Sequence, residues 1–138
     1  MSDDILSPQD AIIYIMVLFS AVDRQMTDRE LQRIGQIVHN WPIFESYNDE
    51  NIIPAAQDCA RLLQEENGID RVFDHIVASL PAHLAETAYA AACDVAAADS
   101  ELRNVEIRLL QLLRQRLDID KLTAAALERA AHARYARE

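Results

Sequence analysis

An eleven-residue pattern occurs twice in this chain, and it limits the fold more than any other feature. Ala21-Val22-Asp23-Arg24-Gln25-Met26-Thr27-Asp28-Arg29-Glu30-Leu31 matches Ala97-Ala98-Asp99-Ser100-Glu101-Leu102-Arg103-Asn104-Val105-Glu106-Ile107, every pair lying 76 positions apart (Asp23 to Asp99, Asp28 to Asn104, Glu30 to Glu106). The shared form is A-x-D-x-x-Φ-x-[DN]-x-E-Φ, and it continues in Ile34 against Leu110 and Ile37 against Leu113. Both copies follow an apolar stretch and open an amphipathic one. A duplicated helix-turn-helix unit accounts for both copies, since related units stack to bury faces that neither could bury alone.

The remaining periodicity is helical, with almost no strand signal. Ser7-Pro8 reads as N-cap and first residue of a helix over about 8–22, apolar nearly all round and therefore central. Thr27 and Glu30 form a capping box for a second helix over about 28–39, ended by Trp41-Pro42. A third, over about 50–66, places Ile53, Ala56, Ala60 and Leu63 on one apolar face and stops at Asn67-Gly68, a left-handed C-cap. Residues 70–79 give a fourth, 81–98 an alanine-rich fifth, 104–116 a sixth and 121–136 a seventh capped by Asp118 or Asp120. The fold class is all-α, a bundle of about seven helices with an internal helix-turn-helix duplication, forming one domain over residues 1–138.

Composition excludes several functions. The chain has 138 residues, half of them hydrophobic (51%), enough for a core without disulfides or a structural metal. Gly35 and Gly68, the two glycines, stand apart, which excludes glycine-rich phosphate-cradling loops. A formal charge of −10 repels phosphate backbones, so nucleic acid is not expected as a partner. That charge is uneven: residues 1–100 hold 5 basic and 17 acidic side chains, a net of −12, whereas residues 101–138 hold 8 and 6, a net of +2. Arg129, Arg134 and Arg137 give the last helix a cationic end that suits its dipole, read as a solvated face. The apolar run Ala11 to Val22 is too short to span a bilayer and lacks a basic leader, so no transmembrane segment is expected and the location is read as cytoplasmic. Cys59 and Cys93, without a CxxC spacing, read as buried thiols in a reducing compartment.

The turns carry the chemistry. Asp23 and Asp99 fall where a helix ends, and the carbonyl end of the dipole disfavours a carboxylate there. One compensation is structural: the Asp accepts hydrogen bonds from turn amides, while Glu30 and Glu106 sit in the favourable first turn of the next helix. The other adds a ligand. Asp23, Asp28 and Glu30, with Asp99, Glu101 and Glu106, would supply oxygen atoms to a hard divalent cation such as Ca²⁺ or Mg²⁺ at a weak, partly solvated site. The spacing is not that of an EF-hand.

The doubled motif, with the stretch Leu80-Pro81-x-x-Leu84 before its second copy, resembles the TerB-like family of tellurite resistance proteins. The resemblance runs from about Ala11 to about Asp120. It implies an all-helical fold of about seven helices, an acidic set carried here by Asp23, Glu30, Asp99 and Glu106 for metal binding or interaction, and a bacterial stress-response setting. Arg24 and Ser100 stand where the family often has Gly, and Arg103 replaces the capping Thr27 in the second copy. Related domains also occur as modules joined to other machinery, including co-chaperones.

No other catalytic constellation competes. His39, His75, His83 and His132 lack zinc-ligand spacing, and no nucleophile elbow is present. Trp41, Phe44 and Tyr47 read as an aromatic plug of the core. The expectation is a non-enzymatic stress protein with an acidic, cation-binding patch; the alternative is a protein–protein interaction module whose acidic turns are purely structural. Another protein is the expected partner in either case.

Overall fold

Ser7 and Pro8 open the first helix as expected, with Ser7 Oγ accepting the Asp10 amide at 3.0 Å. In the computed structural model, which describes residues 5–22, 26–97 and 104–138, α1 (Pro8–Ala21) runs through the centre of a helical bundle. Every residue from Ala11 to Ser20 is buried, because α2 (Asp28–Asn40), α3 (Ile52–Leu63), α4 (Gly68–Ser79) and α5 (Ala85–Ala96) all pack on it. A helix apolar on all faces is stable in water only in such a place. The fully buried Ser20 hydroxyl donates to the Met16 carbonyl at 2.9 Å and so adds no unsatisfied donor.

Thr27 caps α2, which buries Ile34, Ile37 and Val38. Trp41-Pro42 ends it and begins a 3-10 turn, Pro42–Phe44. Phe44 is buried, with Tyr47 edge-on to it at 5.6 Å, and the Tyr47 hydroxyl donates to Asp10 Oδ1 at 2.7 Å. The aromatic segment is thus a core plug tied to the first turn of α1. A second 3-10 turn, Asp49–Asn51, leads into α3, which is shorter at both ends than its periodicity predicts.

α3 differs from expectation in which face it buries. Ala55 and Cys59 are buried, while Ile53 is 64% exposed. The stripe Ile53, Ala56, Ala60 and Leu63 lines an open groove, with Ala56 and Leu63 packing in part against the core. At its end Asn67, not Gly68, takes the left-handed conformation (φ 58°), and it leads directly into α4. Glycine is required at 68 for space: a Cβ there would lie 2.5 Å from the Leu63 carbonyl oxygen and 2.6 Å from that of Leu62.

A third 3-10 turn, Ala82–Leu84, takes up the start of the predicted fifth helix, so α5 begins at Ala85. Ala88, Ala91, Ala92 and Ala96 lie buried in α5, on which α1 and α7 (Lys121–Arg134) pack. α6 (Asn104–Arg116) and α7 complete the bundle. Asp118, with φ 56°, makes the left-handed turn between them, and Asp120 caps α7 through the amides of Leu122 and Thr123. Among the described residues there are seven α-helices and no strand. None of these helices is long and apolar enough to cross a membrane. Both cysteines are free and buried, and burial pushes each thiol up to about 12. Neither is a thiolate at neutral pH.

Candidate functional site

The duplication is visible as structure. α2 (Asp28–Asn40) and α6 (Asn104–Arg116) coincide end to end under the 76-residue shift. Both pack on α5, and α2 also packs on α1. Glu30 and Glu106 hold the same third helical position, and both are 0% exposed.

Around Glu30 the local reason is a complete capping box. Its Oε1 accepts the Thr27 amide at 2.9 Å and the Thr27 hydroxyl at 3.0 Å, while Thr27 Oγ1 accepts the Glu30 amide at 3.2 Å. Such reciprocal bonds satisfy donors that the first helical turn leaves open, and the positive end of the dipole favours the carboxylate. Asp28, two residues earlier, is exposed. Of the six carboxylates singled out in the sequence, Asp28, Glu30 and Glu106 are thus placed, two buried and one in water. Asp23, Asp99 and Glu101 lie outside the described residues. Among the described residues no three His, Cys, Asp or Glu side chains gather as a metal ion would require.

A second cluster of charge was not legible in the sequence. Asp94, in the last turn of α5, has a side chain only 3% exposed, and Arg134 reaches it from α7 with Nη2 2.5 Å from Oδ1. The Tyr135 hydroxyl donates to Oδ2 at 3.1 Å. Arg33 of α2 lies 3.6 Å from the centre of the Tyr135 ring and donates to the Asp94 carbonyl at 3.3 Å. A carboxylate at the carbonyl end of a helix is disfavoured unless cations offset it, and two arginines converge here. The hydrogen bond to Asp94 raises the Arg134 guanidinium above its ordinary value, and burial followed by the Asp94 charge raises the Tyr135 phenol. Arg134 is therefore an ion-pair partner as well as part of a solvated cationic end. The available signal was a lone acid within the alanine run of α5, but its partner lies 40 residues away in sequence.

At the end of the first helix of each repeat lies a cleft, and the two share repeat-related wall positions. The first, about 710 Å³, runs between the end of α1, the start of α2 and the length of α3; Val17 and Ala21 are in its wall. The second, about 370 Å³, lies between α5 and α7, and its wall includes Cys93 and Ala97, the counterparts of Val17 and Ala21. The first is lined by aliphatic side chains with Gln57 and Gln64, the second also by Glu128, His132, Tyr135 and Arg137. Glu128 is held by the Tyr89 hydroxyl, which donates to its Oε2 at 2.5 Å.

These features define a class: an all-helical domain built on two helix-turn-helix units, each with a buried first-turn glutamate and an adjoining cleft. A family model described as tellurite resistance protein TerB matches residues 9–132, and the chain belongs to that family. Neither the curated proteins nor the solved structures gave a match.

Proposed function

We propose that the chain is a non-enzymatic cytoplasmic stress protein of the tellurite-resistance type, whose two acidic turns bind a hard divalent cation, Ca²⁺ or Mg²⁺. The observation that supports it is the equivalence of Glu30 and Glu106, both fully buried at the third position of matching helices and each seven residues after an aspartate in the sequence, Asp23 or Asp99. Oxygen donors repeated at two helix N-termini suit a hard cation, which also lowers the mutual repulsion of carboxylates in a strongly acidic part of the chain. Calorimetric titration with Ca²⁺ and Mg²⁺ tests it. Wild type binds below millimolar and Asp23→Asn/Asp99→Asn does not; absence of binding, or equal binding by the double variant, overturns the reading.

A second reading is favoured by the capping box. Thr27 already occupies Glu30 Oε1 with two hydrogen bonds, so the first turn has a sufficient structural reason for its glutamate. In this reading the acidic turns only shape the fold, and the domain recognises another protein. Asp23→Asn then lowers the melting temperature equally with and without added cation.

A further inference from the structure

We propose that the apolar cleft along α3 is a docking groove for a basic amphipathic helix of a partner protein. This rests on the second reading above for the existence of a protein partner, and it is independent of cation binding at the turns.

The shape carries the first part. Ile53, Ala56, Ala60 and Leu63 line the groove along the whole of α3, at the three- and four-residue spacing of one helix face. Met26 and Leu31 belong to the lining contributed from the start of α2. At a rise of about 1.5 Å per residue the groove is roughly 18 Å long, room for about three turns of an added helix. Ile53 is 64% and Leu31 51% exposed, although their spacing marks both for burial. Contiguous apolar surface left open on both walls of a concave site is the geometry of helix-in-groove recognition.

Charge selects the occupant. Asp28 lies between Met26 and Leu31 in sequence, Glu50 just before the lining of α3, and Glu66 just after it; all three are exposed. Of the basic residues in these stretches, Arg61 is already paired with Asp58 at 3.0 Å, which leaves Arg29 against the three acids. Long-range attraction from an N-terminal portion of net −12 favours a cationic partner and disfavours an acidic one. The related cleft beside α7, about 370 Å³, adds Glu128, His132 and Arg137 to a lining that is otherwise largely apolar. The duplication thus left one copy of the cleft without a charged side chain in its lining.

The test uses the full chain and a fluorescein-labelled peptide of leucine and lysine, about four turns long, in amphipathic helical order. Its scrambled isomer of the same composition is the control, with fluorescence anisotropy at physiological salt as the readout. The helical peptide binds at least about tenfold more tightly than the isomer, and Ile53→Asp and Leu31→Asp each weaken it about tenfold. Each aspartate adds negative charge, so a purely ionic attraction would strengthen. Equal binding of the two peptides, or unchanged or tighter binding by both variants, overturns the proposal. Sedimentation gives a monomer; a dimer that Ile53→Asp dissociates assigns the groove to a second copy and also overturns it. Both positions are more than half exposed, so circular dichroism of the variants matches wild type. Asp23→Asn/Asp99→Asn keeps peptide binding, which separates failure of the groove from failure of the cation reading.

Discussion

Asp94 occupies, 76 residues on, the position that Leu18 occupies in the first repeat, and both side chains are buried. The first copy buries an aliphatic group where the second buries a carboxylate. Arg134 and Tyr135 make that possible by supplying hydrogen bonds at 2.5 and 3.1 Å.

The two partners of this pair are unequal. Arg134→Ala strands a buried carboxylate, whereas Asp94→Leu, which copies the first repeat, leaves a guanidinium that is half exposed and can reach water. Arg134→Ala therefore destabilises by about 2 kcal/mol and Asp94→Leu by less, since an unmet buried charge costs more than a lost pair. Urea denaturation of both variants measures the difference. The reverse order would mean that Tyr135 alone is enough for Asp94.

Thr27→Ala removes the side-chain half of the capping box around Glu30 and costs about 1 kcal/mol. Glu30→Gln keeps an acceptor oxygen for the Thr27 amide and hydroxyl and so keeps most of the stability. If Glu30→Gln retains the melting temperature but loses cation affinity, the glutamate serves a ligand as well as the turn; loss of both in step assigns it to the turn alone.

The two glycines respond oppositely to alanine. At Gly35, within α2, nothing beyond its chain neighbours and the helix's own backbone lies within 4 Å of the place a Cβ would take, so Gly35→Ala stabilises by about 0.5–1 kcal/mol through helix propensity. Gly68→Ala drives a methyl into the backbone carbonyls of Leu62 and Leu63 and destabilises by about 1–3 kcal/mol. Thermal melts of the pair decide; equal shifts of one sign would refute the close approach at the α3–α4 turn.

Asp120 tests the cap of α7. Its carboxyl is held below the usual carboxylate value of 3.8, first by the Thr123 hydroxyl and then by the amides of Thr123 and Leu122. A depressed folded value means the stabilisation is present above the unfolded value and is lost as pH falls through the folded one. The melting-temperature gap between wild type and Asp120→Ala is accordingly full at neutral pH and closes in the acid range below 3.8. A gap independent of pH would show that the cap acts without its charge.

Much of this architecture was legible because its signals are local. The capping box at Thr27 and Glu30, the cap at Asp120 and the apolar run through α1 each lie within a few residues of the structure they specify. The repeat added long-range information, since its 76-residue spacing carries the bounds of α2 onto those of α6. Less legible were the starts of α3 and α5, where 3-10 turns stand in place of helix and Asn51 and Leu84 lead into the helices without side-chain caps.

Helix periodicity, caps and a repeat are properties of neighbours along the chain, and they suffice to specify a duplicated all-helical domain of the tellurite resistance type with paired acidic turns. Which apolar stripe reaches the core is settled only when the helices pack. The periodicity of α3 marks Ile53, Ala56, Ala60 and Leu63 for burial, yet the bundle fully buries Ala55 and Cys59, half-buries Ala56, Ala60 and Leu63, and leaves Ile53 exposed in an open groove. Packing likewise brings Arg134 to Asp94, a pairing of residues 40 apart that depends on how α7 lies against α5. Hydrophobicity is indifferent to direction, so a stripe declares only that it seeks cover; the arrangement of the other helices decides what covers it.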